Sequence, residues 1–170
     1  MYTSVVLVAL TSLLAHEELV PGRPAWLNDY SLASQRGLAQ QKPLAVFIGT
    51  GESGWHDVSK DGGLGTEVSE LLASHYVCVY LDTNKKEARR LANSFAIADG
   101  VGLVLSDRSG KLQAFRHEGE LGAAELRNYL RRYADPERVA VTTETTEDLQ
   151  PRPVVPVQPA FHYAPMTRSC

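Results

Sequence analysis

Four short runs of apolar residues recur along the middle of the chain. They cover residues 43–48 (PLAVFI), 76–81 (YVCVYL), 101–105 (VGLVL) and 112–116 (LQAFR), the last with alternation. Short runs rich in β-branched and aromatic residues are typical of strands that are covered on both faces. The pattern therefore predicts four strands, most of them deeply buried.

Helical spacing of apolar residues fills the segments between these runs. The pattern predicts helices over 31–41, 64–74, 86–95 and 123–133, and Asp135-Pro136 ends the last one. The turn sequence at 107–110 joins the third and fourth strands, so it predicts a hairpin.

The order of these elements predicts an α/β protein with helices on both faces of its sheet. We expect strands joined by helices to be parallel with right-handed crossovers, and the hairpin to add an antiparallel strand. The fold class is then a three-layer α/β/α sandwich with a mixed central sheet, formed by one domain over residues 16–140.

The two ends differ from this pattern. Residues 1–15 carry no charged side chain, and the apolar stretch 5–15 fits the hydrophobic region of a secretory signal peptide. Leu13 and Ala15 suit a cleavage site, so we expect an exported protein, periplasmic or extracellular. The alternative is an apolar first strand or helix of a cytoplasmic protein.

The C-terminal segment 141–170 is rich in proline, with five of the nine prolines between Pro151 and Pro165. Proline removes backbone donors and disfavours helix in the preceding residue. We therefore expect a disordered tail. It is either a solvated extension or a docking peptide whose anchors are Phe161, Tyr163 and Met166.

Composition excludes several classes of function. The 170 residues include 17 basic and 20 acidic side chains, a net charge of −3, so an electrostatic nucleic-acid binder is not expected. No apolar run reaches the ~18 residues of a membrane-spanning helix. Two cysteines exclude a disulfide-built miniprotein and a four-cysteine zinc site.

Four segments in the right order resemble the thioredoxin-like superfamily. They are Lys42-Pro43 before LAVFIG, YVCVYLDTN at 76–84, the stretch 91–115 that ends in a strand pair, and GELGAAELRNYL at 119–130. The resemblance covers residues 26–134 and implies the thioredoxin-like fold, with a functional loop directly after the first predicted strand.

The sequence departs from this family at the residues that carry its redox chemistry. The family's Cys-x-x-Cys motif falls on Ser53-Gly54-Trp55-His56, which contains no cysteine, and Val101 occupies the place of its cis-proline. A serine hydroxyl does not ionise usefully near neutral pH without an adjacent base. We therefore expect no thiol–disulfide exchange at this loop.

The loop over residues 49–57 is nevertheless the main candidate site. Ser53, His56 and Asp57 supply the residue types of a nucleophile, a base and an acid, although neighbouring side chains in a loop do not by themselves define a triad. Trp55 and His56, expected to be exposed, are the candidate binding pair. The alternative is that the glycines only turn the chain and Trp55 packs on the fold.

The remaining histidines and cysteines indicate little chemistry. His56, His75, His117 and His162 lack a second ligand at metal-binding spacing, so no metal and no cofactor is expected. Cys78, inside an apolar run, reads as a buried inert thiol. In an exported protein Cys170 is free for an intermolecular disulfide, or it has no role. The glycine-rich stretch 61–65 reads as a loop before the next helix.

The sequence therefore favours a non-catalytic binding or structural module that contacts an unidentified protein through the 49–57 loop or the 141–170 tail. The alternative is a thioredoxin-like oxidoreductase or transferase with a non-standard site around Ser53 and His56, or one that uses Cys170.

Overall fold

The computed structural model describes residues 22–149. Its regular elements, in chain order, are β1 (Trp26–Leu27), α1 (Tyr30–Gln40), β2 (Leu44–Gly49), a 3-10 helix (Gly54–Val58), α2 (Thr66–His75), β3 (Val77–Asp82), α3 (Lys86–Ser94), β4 (Gly102–Ser106), β5 (Gln113–Glu118), α4 (Ala123–Ala134), β6 (Glu144–Thr145) and α5 (Thr146–Leu149). The four long helices lie within two residues of the predicted ones, the usual scatter at helix ends.

The strands form a mixed six-stranded sheet in the order β1-β3-β2-β4-β5-β6. Strands β1 and β2 both run parallel to β3, while β4 is antiparallel to β2 and pairs with β5 as a hairpin. The fold class, a three-layer α/β/α sandwich with a mixed sheet, and the predicted hairpin are confirmed.

The direction of β4 corrects one prediction. A helix joins β3 to β4, yet the two strands run in opposite directions. Strand β3 is parallel to β2, whereas β4 is antiparallel to β2, since Gly102 at the start of β4 pairs with Ile48 near the end of β2. The connection stays at this end of the sheet, where the Glu118 carboxylate accepts hydrogen bonds from the backbone N–H groups of Ala98 and Asp99 at 2.5 and 2.9 Å.

Alternate side chains of the central strands enter two separate cores. On β2, Ala45 and Phe47 pack on the side of α2 and α4, whereas Leu44, Val46 and Ile48 pack on the side of α1 and α3. Every residue of β2 is buried, as a strand covered on both faces requires.

Two helix starts are capped by acidic side chains. Asp29 accepts a hydrogen bond from the backbone N–H of Leu32 at 3.0 Å at the start of α1. The N–H of Ala123 at the start of α4 donates to Asp61 at 3.2 Å. The predicted loop 61–65 thus connects the adjacent elements and also caps the start of α4, which is distant in sequence.

Ordered structure continues past residue 140, which corrects the predicted start of the tail. Glu144 of β6 accepts hydrogen bonds from Tyr133 at 2.7 Å and Arg132 at 3.2 Å, and it also pairs with Arg138. These contacts tie β6 to α4, and β6 also pairs in parallel with β5. The signal peptide predicted at 1–15, the rest of the tail at 150–170 and Cys170 lie outside the described residues.

No helix within residues 22–149 combines the length and the apolar character needed to cross a membrane.

Candidate functional site

The 49–57 loop leaves the end of β2 and turns back on itself within a few residues. Gly49 and Gly54 make the closest approach: a Cβ built on Gly49 would lie 2.1 Å from the Gly54 carbonyl oxygen. A Cβ on Gly54 would lie 2.5 Å from the Tyr80 hydroxyl. Only glycine fits at both positions, and this contact starts the 3-10 helix at Gly54.

Side chains at the end of β3 hold the loop in place. Asp82 accepts a hydrogen bond from the N–H of Gly51 at 2.9 Å, and the Tyr80 hydroxyl donates to the Gly51 carbonyl at 2.5 Å. Thr83 donates to the Gly49 carbonyl at 3.0 Å. The backbone hydrogen bonds from Gly51 and Asn84 lower the pKa of Asp82.

Burial raises the pKa of Tyr80 to about 12, so its hydroxyl stays protonated and remains a donor to the loop. Side chains of Tyr80, Asp82 and Thr83 thus hold the loop by hydrogen bonds that need no ligand. Tyr80 and Asp82 lie within and just after an apolar run, and the sequence offered no indication that they would support this loop.

An aromatic stack lies under the loop. The Trp55 ring stacks on His56 with ring centres 3.4 Å apart, and on Trp26 of β1 with centres 5.1 Å apart. Trp26 in turn meets Phe47 edge-on at 5.1 Å. The stack joins the loop to the core on the α2 and α4 side.

This stack corrects the expectation that Trp55 and His56 are exposed. Both side chains are half-buried, because Trp26 covers one face of Trp55. Strand β1 has only two residues, too short for any sequence periodicity, so no local pattern indicates that Trp26 reaches this loop.

Ser53, His56 and Asp57 line the same shallow cleft. Neither the Ser53 hydroxyl nor the Asp57 carboxylate makes a hydrogen bond to His56 among the described residues. His56 Nδ1 is buried without a hydrogen-bond partner, and a Cβ built on Gly63 would lie 3.7 Å from it. An activated nucleophile typically lies about 2.6–3.2 Å from its base, a contact that the Ser53 and His56 side chains do not make within the described residues.

Cys78 lies in the buried strand β3, and its thiol faces the Leu72 carbonyl at 3.8 Å. Burial raises the pKa of this thiol to about 12, so it is protonated near neutral pH and is not nucleophilic. Val101, in the place of the family's cis-proline, precedes the Gly102 residue that pairs with Ile48; all peptide bonds of the described segment are trans.

Residues 22–149 contain no group of three or more His, Cys, Asp or Glu side chains arranged to hold a metal ion. Thr50, Glu52, Ser53 and Asp57 are the exposed polar residues of the loop. Thr50, Ser53 and Asp57 line a shallow cleft with His56, so the loop offers hydroxyl and carboxylate groups beside a half-buried ring.

Two solved structures resemble this fold. One is a protein described as DsbH oxidoreductase, with 19% sequence identity and a TM-score of 0.52 over 75% of this chain and 94% of that one. The other is a thioredoxin from Thermus thermophilus, with 17% identity and a TM-score of 0.47 over 64% of this chain and 85% of that one.

The fold is thioredoxin-like, as the sequence resemblance implied. At this level of identity the likeness extends to the fold alone. No protein-family model matches the chain, and a search of curated proteins found no match.

Proposed function

We propose that this protein is a non-redox thioredoxin-like module that binds a protein partner through the 49–57 loop. The observation that carries the proposal is a loop firmly held by Tyr80, Asp82 and Thr83 that contains no thiol. A rigid loop without reactive chemistry suits recognition, because little conformational entropy is lost when it binds.

The surface of the loop has the layout of a small interface. Trp55 and His56 are its partly buried aromatic residues, and Thr50, Ser53 and Asp57 line a shallow cleft together with His56. Protein interfaces commonly place aromatic side chains at the centre and polar groups at the rim. The carboxylate and hydroxyl groups favour a partner that presents hydrogen-bond donors.

A photocrosslinking experiment tests the binding role. p-Benzoylphenylalanine at position 53, and separately at the exposed position 111 as a control, is irradiated in the native host. We expect one discrete protein adduct from position 53 that is absent at position 111. The same adduct should weaken in a chain that also carries Glu52→Arg. Equal adducts at both positions, or none at position 53, would reject the loop as the binding surface.

The alternative is an oxidoreductase or transferase that uses Ser53 and His56. Insulin reduction in the presence of dithiothreitol distinguishes the two, with thioredoxin as the positive control. The absence of a loop thiol and the raised pKa of Cys78 support an expected rate no higher than dithiothreitol alone. Reduction at thioredoxin-like rates, lost in Ser53→Ala or His56→Ala variants of unchanged stability, would establish the enzyme instead.

We also propose that the protein is exported and that Cys170 is free for an intermolecular disulfide, both on grounds of sequence. The test is the intact mass of the protein from its native host, with and without reductant. Loss of about fifteen N-terminal residues supports export. A mass that falls on reduction supports a covalent partner on a cysteine, whereas an uncleaved, fully reduced monomer contradicts both ideas.

A further inference from the structure

Helix α3 begins with a dense cluster of positive charge. Four cations occupy six consecutive positions at its start: Lys85, Lys86, Arg89 and Arg90. All four are exposed, while Ala88, Leu91 and Ala92 face the core. Glu87 is the only carboxylate of the helix. We call these four side chains the α3 basic face.

None of these four side chains forms an ion pair with a carboxylate of residues 22–149. The ion pairs of that part of the chain involve arginines of α4 and Arg138, with Glu67 and Glu144 as their acceptors. Arg89 donates from Nε to the Thr83 carbonyl at 2.9 Å, which leaves its charge without a counter-charge.

The local physics of the helix opposes this arrangement. Lys85 and Arg89 are four residues apart, as are Lys86 and Arg90, and like charges at this spacing destabilise a helix. Lys85 and Lys86 also lie at the N-terminus, where the helix dipole disfavours positive charge. The apolar contacts of the opposite side of α3 supply its packing, so the cations are not needed to hold it.

We propose that the α3 basic face binds an acidic segment of a partner protein. Carboxylates placed along this face would neutralise both like-charge pairs and relieve the repulsion within the helix. The six positions span about 8 Å, a length that matches two or three carboxylates of a short acidic segment.

A small face of this kind suits a peptide better than other polyanions. Nucleic-acid binding typically uses six to ten phosphate contacts, whereas this face has four cations on a chain of net charge −3. An anionic membrane surface favours a basic cluster combined with exposed apolar side chains, and those of α3 are directed into the core.

The α3 basic face adjoins the 49–57 loop at Lys85, so the variant that tests it changes Lys86 and Arg90 instead. Lys85 is the nearest of the four cations to the loop, since it lines a cleft with Gly51, Glu52 and Asp82. The remaining cations lie farther along the helix.

The test uses the full chain and a fluorescein-labelled peptide of eight glutamates, read by fluorescence anisotropy at several salt concentrations. An eight-glutamine peptide is the uncharged probe. The key variant is K86E/R90E. The matched control is K60E/K111E, which changes the net charge equally at two exposed lysines elsewhere. Circular dichroism verifies that both variants are folded.

We expect the wild type and K60E/K111E to bind the glutamate peptide with similar affinity, which falls as salt screens the charges. K86E/R90E should bind it roughly tenfold more weakly, and the glutamine peptide should bind to none of them. Equal binding by K86E/R90E and the control would overturn the proposal.

Three parallel measurements cover the other occupants: binding to a single-stranded DNA oligonucleotide, binding to phosphatidylglycerol vesicles, and sedimentation of the protein alone. If DNA or vesicles bind more tightly than the glutamate peptide and K86E/R90E abolishes that binding, the face serves a different macromolecule and the proposal is wrong. If the protein self-associates and K86E/R90E abolishes that association, the partner of the face is a second copy of the chain and the proposal is equally wrong.

Discussion

Helices α2 and α4 cover one face of the sheet, and α1 and α3 cover the other. On the first face the helices carry three cations and three carboxylates, and Glu67 of α2 pairs with both Arg127 and Arg131 of α4. On the second face the helices, with their N-cap residues Asp29 and Lys85, carry five cations and two carboxylates.

The two faces therefore use charge differently. Between α2 and α4, ion pairs link one helix to the other. Helices α1 and α3 meet instead through apolar side chains, including the Tyr30 and Phe95 rings with centres 5.5 Å apart. On this second face apolar contacts supply most of the packing, and Arg89 adds a hydrogen bond to the Thr83 carbonyl.

The largest predicted effect concerns how tightly the two faces pack against β2. Gly49→Ala places a Cβ 2.1 Å from the Gly54 carbonyl on the first face, and backbone cannot yield as a flexible side chain does. We expect a loss of about 3 kcal/mol in the free energy of unfolding, measured by urea denaturation.

Gly37→Ala is the matched substitution on the second face. Its Cβ would meet Leu44 Cδ2 and the Lys42 carbonyl at 3.0 Å, while alanine gains helix propensity within α1. These terms oppose each other, so we expect a change within about 1 kcal/mol. Equal losses for the two variants would show that the faces are packed with the same tightness.

The sequence predicted the parts of the fold that depend on local pattern. We could recognise strand β2, with six buried residues, and the turn of the β4–β5 hairpin, because burial and turn formation depend on the types of adjacent residues. The direction of β4 was predicted wrongly, because it is set by pairing with β2, a strand more than fifty residues earlier in the chain, and no local pattern reports that pairing.

The place of the 49–57 loop directly after a buried strand was predictable, whereas the residues that support the loop were not. The resemblance located the loop and its missing cysteines. The supports of the loop, Trp26, Tyr80 and Asp82, come from distant strands and have no local pattern. The start of the tail was predicted wrongly for the same reason, since the ion pairs of Glu144 with Arg132 and Arg138 form only in the folded chain.

A second prediction tests whether the charged contacts of α4 also stabilise β6. Glu144→Ala removes the acceptor shared by Arg132, Arg138 and Tyr133. We expect a loss of about 1 kcal/mol in global stability and faster hydrogen exchange at residues 143–146. Tyr133→Phe, which removes a single hydrogen bond to Glu144, should have about half that effect. Unchanged exchange in Glu144→Ala would show that backbone pairing alone holds β6.

A third prediction concerns the reversal of one side-chain charge on the second face. Lys86→Glu converts a like-charge pair with Arg90 into an attractive one and places a carboxylate at the N-terminus of α3. We expect a gain of about 0.5 kcal/mol in stability at low salt, which shrinks as salt is added. Lys111→Glu, at an exposed lysine outside any helix, is the control for net charge. A loss of stability in Lys86→Glu would show that Lys86 has a structural role in α3.

The smallest predicted effect is a pH dependence confined to the first face. The hydrogen bond from Arg127 lowers the pKa of Glu67 below its usual value near 4.5. A carboxyl group whose pKa is lower in the folded protein stabilises it above the unfolded pKa, and this contribution is lost as the pH falls through the folded pKa. Stability should therefore decline below about pH 4.5, and Glu67→Gln should make that decline shallower.

Glu70→Gln removes a carboxylate from the same helix that forms no ion pair within the described residues, so it separates the pair from a simple change of charge. Because Glu67 is exposed, the difference between the two variants should vanish in high salt, where exposed charges are screened. The contrary outcome is that the stability of both variants shows the same pH dependence at low salt as well. That result would mean that the ion pairs between α2 and α4 contribute no more to stability than the unpaired cations of α3. The two faces would then differ only in how their charges are arranged.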